Sequence, residues 1–230
     1  MPPETLTRST LAELVDRARA LVPSAGLAPD PVAGPAGDPR PRRRILGIAG
    51  PPGAGKSTLA EAIVTALGAD AILVPMDGFH LENDVLVRLC LRERKGSPTT
   101  FDAAGYAALL RRLRDATEPV TRAPLFRRDL DRSIEGAIEV PRDVPLVVTE
   151  GNYLLLDEGP WAAVRPLLDA AWYLAADATR VERLIARHIE HGKAPDAARD
   201  WVMRSDEANA RIIETTRDRA DLVVLGLPRG

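Results

Sequence analysis

Lysine is nearly missing from this chain of 230 residues. Of its 31 basic residues only Lys56, Lys95 and Lys193 are lysines, and the rest are arginine. A lysine in such a composition marks a place where a compact ammonium serves better than a planar guanidinium. Cysteine is rarer still: Cys90 is alone, which excludes a disulfide framework and a cysteine-based zinc site and fits a reducing, cytoplasmic setting. Neither charge is in excess, with 33 acidic residues against 31 basic and a net charge of −2. The basic footprint of a nucleic-acid binder is therefore missing, and no nucleic-acid partner is expected. No apolar run reaches the ~18 residues of a membrane span, and the opening MPPETLTRST lacks the basic-then-apolar order of an export signal, so no membrane partner is expected either. What is present, 45% hydrophobic and 28% charged residues, is the mixture of a soluble globular chain. Its length suits one body with an appendage better than two equal domains.

The organisation follows from local pattern. Residues 10–22 (TLAELVDRARALV) carry an apolar stripe at helical spacing, and Thr10 with Glu13 forms a candidate capping box. Residues 23–41 hold six prolines and three glycines in 19 positions, too many for a helix or central strand. The division expected is an accessory helix in 1–22, a linker over 23–44 and a body over 45–230. In the body, short apolar runs at 45–49, 71–76, 145–150, 170–175 and 222–226 alternate with helical stretches at 57–68, 107–116, 179–191 and 196–217. That alternation predicts an α/β fold with a mostly parallel, five-stranded sheet covered by helices on both faces.

Between the first strand and first helix of the body lies G-P-P-G-A-G-K-S (50–57), which satisfies G-x-x-x-x-G-K-[ST] in its required context. Glycines let the backbone turn so that successive N–H groups face a phosphate, and the helix N-terminus adds partial positive charge. Gly50, Pro51, Pro52, Gly53, Ala54, Gly55, Lys56, Ser57 and Thr58 are thus expected to hold a nucleoside triphosphate. Lys56 would reach the β- and γ-phosphates and Ser57 would ligate Mg²⁺. No asparagine precedes a lysine, so the N-K-x-D guanine signature of GTPase switches is absent. The strand ending at Glu150 lacks the second adjacent acid usual in mechanical ATPases. A small-molecule kinase remains, using ATP and Mg²⁺.

Asp77 ends the second strand of the body, and in open α/β sheets ligands bind beyond the carboxyl ends of strands. A carboxylate there suits the catalytic aspartate that orients an acceptor hydroxyl and takes its proton; the alternative is an ordinary Asp-Gly turn. His80 is open between substrate contact and surface residue. Arg180, Arg183 and Arg187 fall at i, i+3 and i+7, on one helix face.

The series GPPGAGKST, MDGFHLEN, RKGSPTTFD, APLFRR, VVTEGNYLLL, the 180–193 arginine segment and TTRDRADLVV resembles the P-loop kinase superfamily of pantothenate kinase, uridine kinase and phosphoribulokinase. It is most similar to the nucleoside/nucleotide kinase-like branch, also described as fructose transport system kinase-like. The resemblance spans about 45–226 and implies the three-layer P-loop NTPase fold with a small lid over about 180–195. It implies Asp77 as catalytic base, with a D-G-F-H-L-E-N stretch where pantothenate kinases have D-G-F-L-H-P-N. It implies Lys95 in a loop over the acceptor and Arg128 where relatives carry histidine. Glu150 would hold Mg²⁺ through water, and Asn152 and Tyr153 would line the acceptor pocket beside His80, with packing as the equal alternative for Tyr153. Arg187 first and Arg183 second would be the lid arginines that act on the transferring phosphoryl. The expected activity is transfer of the γ-phosphoryl of Mg·ATP to a hydroxyl of a small metabolite. The alternative is a regulatory NTP-binding protein without an acceptor. A homodimer is compatible with either and required by neither.

Overall fold

The computed structural model describes residues 2–6, 9–23 and 42–225. Its elements in chain order are β1 (Glu4–Leu6), α1 (Leu11–Arg19), β2 (Arg44–Ala49), α2 (Lys56–Leu67), β3 (Ala71–Leu73), α3 (Asn83–Arg88), α4 (Ala103–Asp115), β4 (Val120–Arg127), β5 (Arg132–Pro141), β6 (Leu146–Gly151), β7 (Ala170–Ala175), α5 (Arg180–Glu190), α6 (Pro195–Trp201), α7 (Glu207–Glu214) and β8 (Leu222–Leu225). One sheet runs β1-β8-β7-β2-β6-β3 with every neighbouring pair parallel, and β4 pairs with β5 as a separate antiparallel hairpin.

Alternation along β2 explains the three layers. Ile45 and Ala49 face a core shared with Tyr106 and Leu110 of α4 and Ile213 of α7. Leu46 and Ile48 face the opposite core, with Leu59 and Ile63 of α2 and Leu14 and Ala18 of α1. Strands buried on both faces read as continuous apolar runs, and every residue of β6 is buried.

The α/β architecture matches the expectation, and the sheet has six strands where five were expected. The sixth is β1, whose Glu4, Thr5 and Leu6 pair with Leu222, Val223 and Val224. Three residues at a sheet edge with one apolar side chain give no periodicity to read. The helix expected in 1–22 is α1. Its Thr10–Glu13 capping box is formed in both directions, and it packs in the same core as the sheet. The Pro/Gly-rich stretch lies outside the described residues save for its edges. The β4–β5 hairpin was not foreseen; it carries Arg127 and the Arg128 turn toward the cleft. Among the described residues no helix is long and apolar enough to cross a membrane.

Candidate active site

β2 ends in the centre of the sheet, and residues 50–55 turn from it into the N-terminus of α2. Gly50 has φ 151°, and a Cβ there would lie 2.3 Å from the Leu174 carbonyl oxygen, so no other residue fits. Lys56 opens α2 and is buried. Its Nζ donates to Pro51 O at 3.0 Å and to Asn152 Oδ1 at 2.8 Å, which curls the lysine back over its own loop. Burial pushes the ammonium down to about 8; Arg187 and Arg128 add to this, and Glu150 and Asp77 oppose it. The next residue, Ser57, donates from its hydroxyl to Glu150 Oε1 at 3.1 Å. Burial, with the charge of Asp77, raises the Glu150 carboxyl to about 7, and Lys56 restrains the shift.

Asp77 lies in a short 3-10 turn, Met76–Phe79, just past β3. β3 itself stops at Leu73, short of the expected 76, because Pro75 cannot continue the ladder. The turn is held from below: Tyr106 and Thr149 hydroxyls lie 2.7 Å apart, and Thr149 donates to Val74 O at 2.6 Å. Gly78 is required for a different reason than turn formation. A Cβ there would lie 2.4 Å from Pro124 O of β4, so the turn and the hairpin touch backbone to backbone. That contact brings Arg128 to Asp77, Nη2 to Oδ2 at 3.1 Å. His80 Nδ1 lies 2.8 Å from Asp77 O, and its ring stacks near Phe101 and Phe126 at 4.0 and 4.6 Å between centroids. Burial holds this imidazole below its ordinary range, so at neutral pH it carries one proton, donated to Asp77 O, and presents Nε2 as an acceptor.

These groups surround a cavity of about 370 Å³. Lys56, Ser57, Thr58, Glu150 and Asn152 form one wall, and Asp77, His80 and Arg128 another. Pro52, Gly53 and Gly55 also line it, whereas Gly50, Pro51 and Ala54 shape the loop from behind. The three arginines of the α5 stripe separate. Arg180 is buried, donates to Pro52 O and pairs with Glu207. Arg183 binds Asp177 at 2.8 Å and Gly53 O at 2.8 Å. The Arg187 side chain lines the cavity and makes no hydrogen bond or ion pair with the described residues. Arg183 is thus tethered to the phosphate loop while it lines the cavity, and the Arg187 side chain has no such tether.

Two acceptor-side candidates do not line this cavity. Tyr153 lines no part of the cavity: it is 1% exposed, packs against Phe101 and Trp161, and donates its hydroxyl to Gly96 O at 2.5 Å. Lys95 stands outside the first cavity and fastens the hairpin tip, with Nζ at 2.7 Å from Asp131 Oδ1 and 2.8 Å from Asn83 Oδ1.

A model of the phosphoribulokinase/uridine kinase family matches residues 45–229. The chain belongs to that family. The Escherichia coli protein YggC is 35% identical over 189 residues, 80% of this chain and 78% of its own length. A Schizosaccharomyces pombe protein provisionally named uridine kinase is 30% identical over 195 residues, covering 80% and 83%. Among solved structures, a provisionally named fructose transport system kinase from Silicibacter sp. TM1040 superposes with a TM-score of 0.79 at 37% identity, covering 94% of this chain and 98% of that one.

In this phosphoribulokinase/uridine kinase family member, the tertiary structure also sets further walls of the cavity. Phe101 closes the cavity beneath His80. Asn209 is buried and donates to Gly96 O at 3.2 Å, beside Tyr153, so both pin the 95–101 loop. Asp206 ends a π-helical segment, Val202–Asp206, and faces His188 at 2.9 Å. Such segments often mark functional sites, yet nothing in the local residues announces one.

Proposed function

We propose that the protein is an ATP-dependent kinase that transfers the γ-phosphoryl group to a hydroxyl of a small metabolite. The observation that carries this reading is the placement of Asp77 across one cavity from the phosphate loop, with Lys56 and Arg187 between them in charge and reach.

In this reading loop N–H groups and Lys56 hold the triphosphate, and Asp77 accepts a hydrogen bond from the acceptor hydroxyl. The acceptor oxygen forms a bond to the γ-phosphorus as the bond to the β,γ-bridging oxygen breaks. ADP leaves with that electron pair, and the hydroxyl proton passes to Asp77. Because the transition state is loose, the proton can move late. Arg187, and Arg183 less directly, offset charge on the transferring group. Arg128 orients Asp77, and His80 Nε2 and Asn152 offer polar contacts to the acceptor.

The residues also suit Mg²⁺. Glu150 is a buried carboxylate whose hydrogen bond comes from the Ser57 hydroxyl, a pair of hard oxygen donors at the cavity wall. No group of three or more His, Cys, Asp or Glu among the described residues could hold a metal alone, which fits an ion that takes its other ligands from phosphates and water. Ser57 and Glu150 would hold it, and it would neutralise phosphate charge.

The test is ADP release with and without a panel of sugars, nucleosides and pantothenate-like hydroxyl compounds, with the phosphorylated product identified. Acceptor-dependent release is expected. Slow hydrolysis indifferent to every acceptor would instead mark a regulatory nucleotide-binding protein.

A further inference from the structure

β2 and β6 run side by side with Ala49 opposite Gly151. Beyond that pair the strands diverge, one into the phosphate loop and the other into the loop that begins with Asn152. Gly151 fixes the second end, because a Cβ there would lie 2.5 Å from Cβ of Met76, the residue before Asp77. Asn152 is thus set beside the phosphate loop on a strand end packed against the turn that carries Asp77, and it lines the cavity.

The orientation of the Asn152 amide follows from chemistry. An ammonium only donates, so Oδ1 is the atom that meets Lys56 Nζ, at 2.8 Å. A second ammonium proton goes to Pro51 O at 3.0 Å. Lys56 makes no other hydrogen bond and no ion pair among the described residues; Glu150 and Asp77 act on its charge from further off. Both partners of this buried cation are therefore neutral carbonyl oxygens, which bind an ammonium less strongly than a phosphate does. The two differ in place. Asn152 lines the cavity and Pro51 does not, so a phosphate entering the cavity meets the Asn152 bond first. Pro51 O lies behind and also accepts from Ala54 N at 3.2 Å.

The ammonium has three protons. With a triphosphate in the loop, one stays on Pro51 O and two reach the β- and γ-phosphates, which leaves none for Asn152. With a diphosphate the γ-oxygens are missing, and the third proton returns to Oδ1. We propose that Asn152 senses the γ-phosphate through Lys56: its side-chain oxygen holds the lysine when the site is empty or holds a diphosphate, and is released when a triphosphate is bound. Once released, Oδ1 is an acceptor on a half-buried residue that has lost its donor, and an acceptor hydroxyl is the donor the cavity can then receive. Acceptor binding is thereby favoured beside ATP and disfavoured beside ADP. That consequence rests on the kinase reading, whereas the exchange at Lys56 needs only nucleotide.

The experiment titrates the full chain with ADP and with a non-hydrolysable ATP analogue, both with Mg²⁺, by calorimetry. In the parent the analogue must displace Asn152 and ADP need not. Asn152→Ala removes that competition, so the Kd for the analogue should fall about tenfold, the size of one charge-assisted bond, while the Kd for ADP barely changes. A residue that only props the loop would weaken both nucleotides alike. Asn152→Ser, whose hydroxyl stops one bond short of the lysine, should give the same split if the alanine variant is unstable. Because the chain has three lysines, ¹³C label at lysine Cε gives three signals, and Lys56 is assigned by its loss in Lys56→Arg. The Lys56 signal of the Asn152 variant should differ from the parent's in the free and ADP-bound states and coincide with it when the analogue is bound. The proposal is overturned if both nucleotides change together, if the analogue binds more weakly, or if the Lys56 signals of parent and variant differ equally in all three states. A split between the nucleotides with no acceptor-dependent ADP release would leave the γ-phosphate sensor standing and remove the kinase reading instead.

Discussion

The phosphate-loop side of the cleft is one stretch of chain, residues 50–58, presenting mostly its backbone. The opposite side, where the proposed acceptor would sit, draws residues from five places: Asp77–His80, Gly96–Phe101, Arg128, Arg187 and Asp206–Asn209. On the first side a glycine at φ 151° and a helix N-terminus set the shape, so the geometry is local and tolerates little change. On the second, position depends on what pins each segment: Arg128 on Asp77, Lys95 on Asp131, Tyr153 and Asn209 on Gly96 O.

Substitutions on the two sides should separate by which substrate they disturb. The largest effect is expected from Asp77→Asn, which keeps shape and removes charge and basicity. General-base assistance is worth about 10²–10⁴-fold, so kcat should fall in that range while the Kd for Mg·ATP barely moves. Steady-state kinetics with the true acceptor, beside nucleotide titration, checks both halves. A near-parental kcat would reduce Asp77 to a turn residue, and lost Mg·ATP affinity rescued by Mg²⁺ would make it a metal ligand.

Lys56→Ala should cost about 10²–10³-fold in kcat/KM, the usual loss for one preorganised donor on a developing charge. It also removes bonds to Pro51 O and Asn152, so a modest fall in Tm accompanies it. Stopped-time assays and calorimetric melts measure the two together; a folded variant with parental turnover would contradict the phosphate-loop assignment.

Lys95→Met keeps the length and apolar stem but releases the hairpin tip from Asp131 and Asn83. A charge-assisted bond of this kind is worth about 1.5 kcal/mol, or roughly tenfold. The acceptor KM should rise by about that factor with the ATP KM unchanged. Equal changes in both would mean that the two sides are not independent.

The smallest effect concerns stability. The folded pKa of Glu150, about 7, lies above the ordinary carboxyl value of 4.5, so the folded state binds more protons than the unfolded one between those pH values. Stability of the ligand-free protein then falls as pH rises through that window. Glu150→Gln keeps an oxygen for Ser57 and removes the buried charge. In EDTA it should melt a few degrees higher than the parent at pH 8, with the gap closing toward pH 4.5. A gap independent of pH would deny the burial penalty.

Much of this was legible before any fold was drawn. The phosphate loop was, because its function needs contiguous backbone and so a contiguous signature. Asp77 and Glu150 were, because strand ends in a parallel sheet converge on one edge. Arg187 and Arg183 were placed on one helix face by spacing, but spacing could not say that Arg183 would be tied to Asp177 and Gly53 O while Arg187 stayed unpartnered. Tyr153 follows Asn152 directly, and along an irregular loop nothing in the residues says which of two neighbours turns inward.

By itself the sequence determined the alternation of strands and helices, the triphosphate loop and the acid facing it, because each depends on residues near one another in the chain. Only the tertiary structure decided that Glu4–Leu6 joins the sheet beside β8, that Lys95 fastens a hairpin, and that Lys193 and Arg187 line one cavity. Those outcomes are set by contacts between segments far apart in the chain, where pairing is chosen by packing and by which charges are left over.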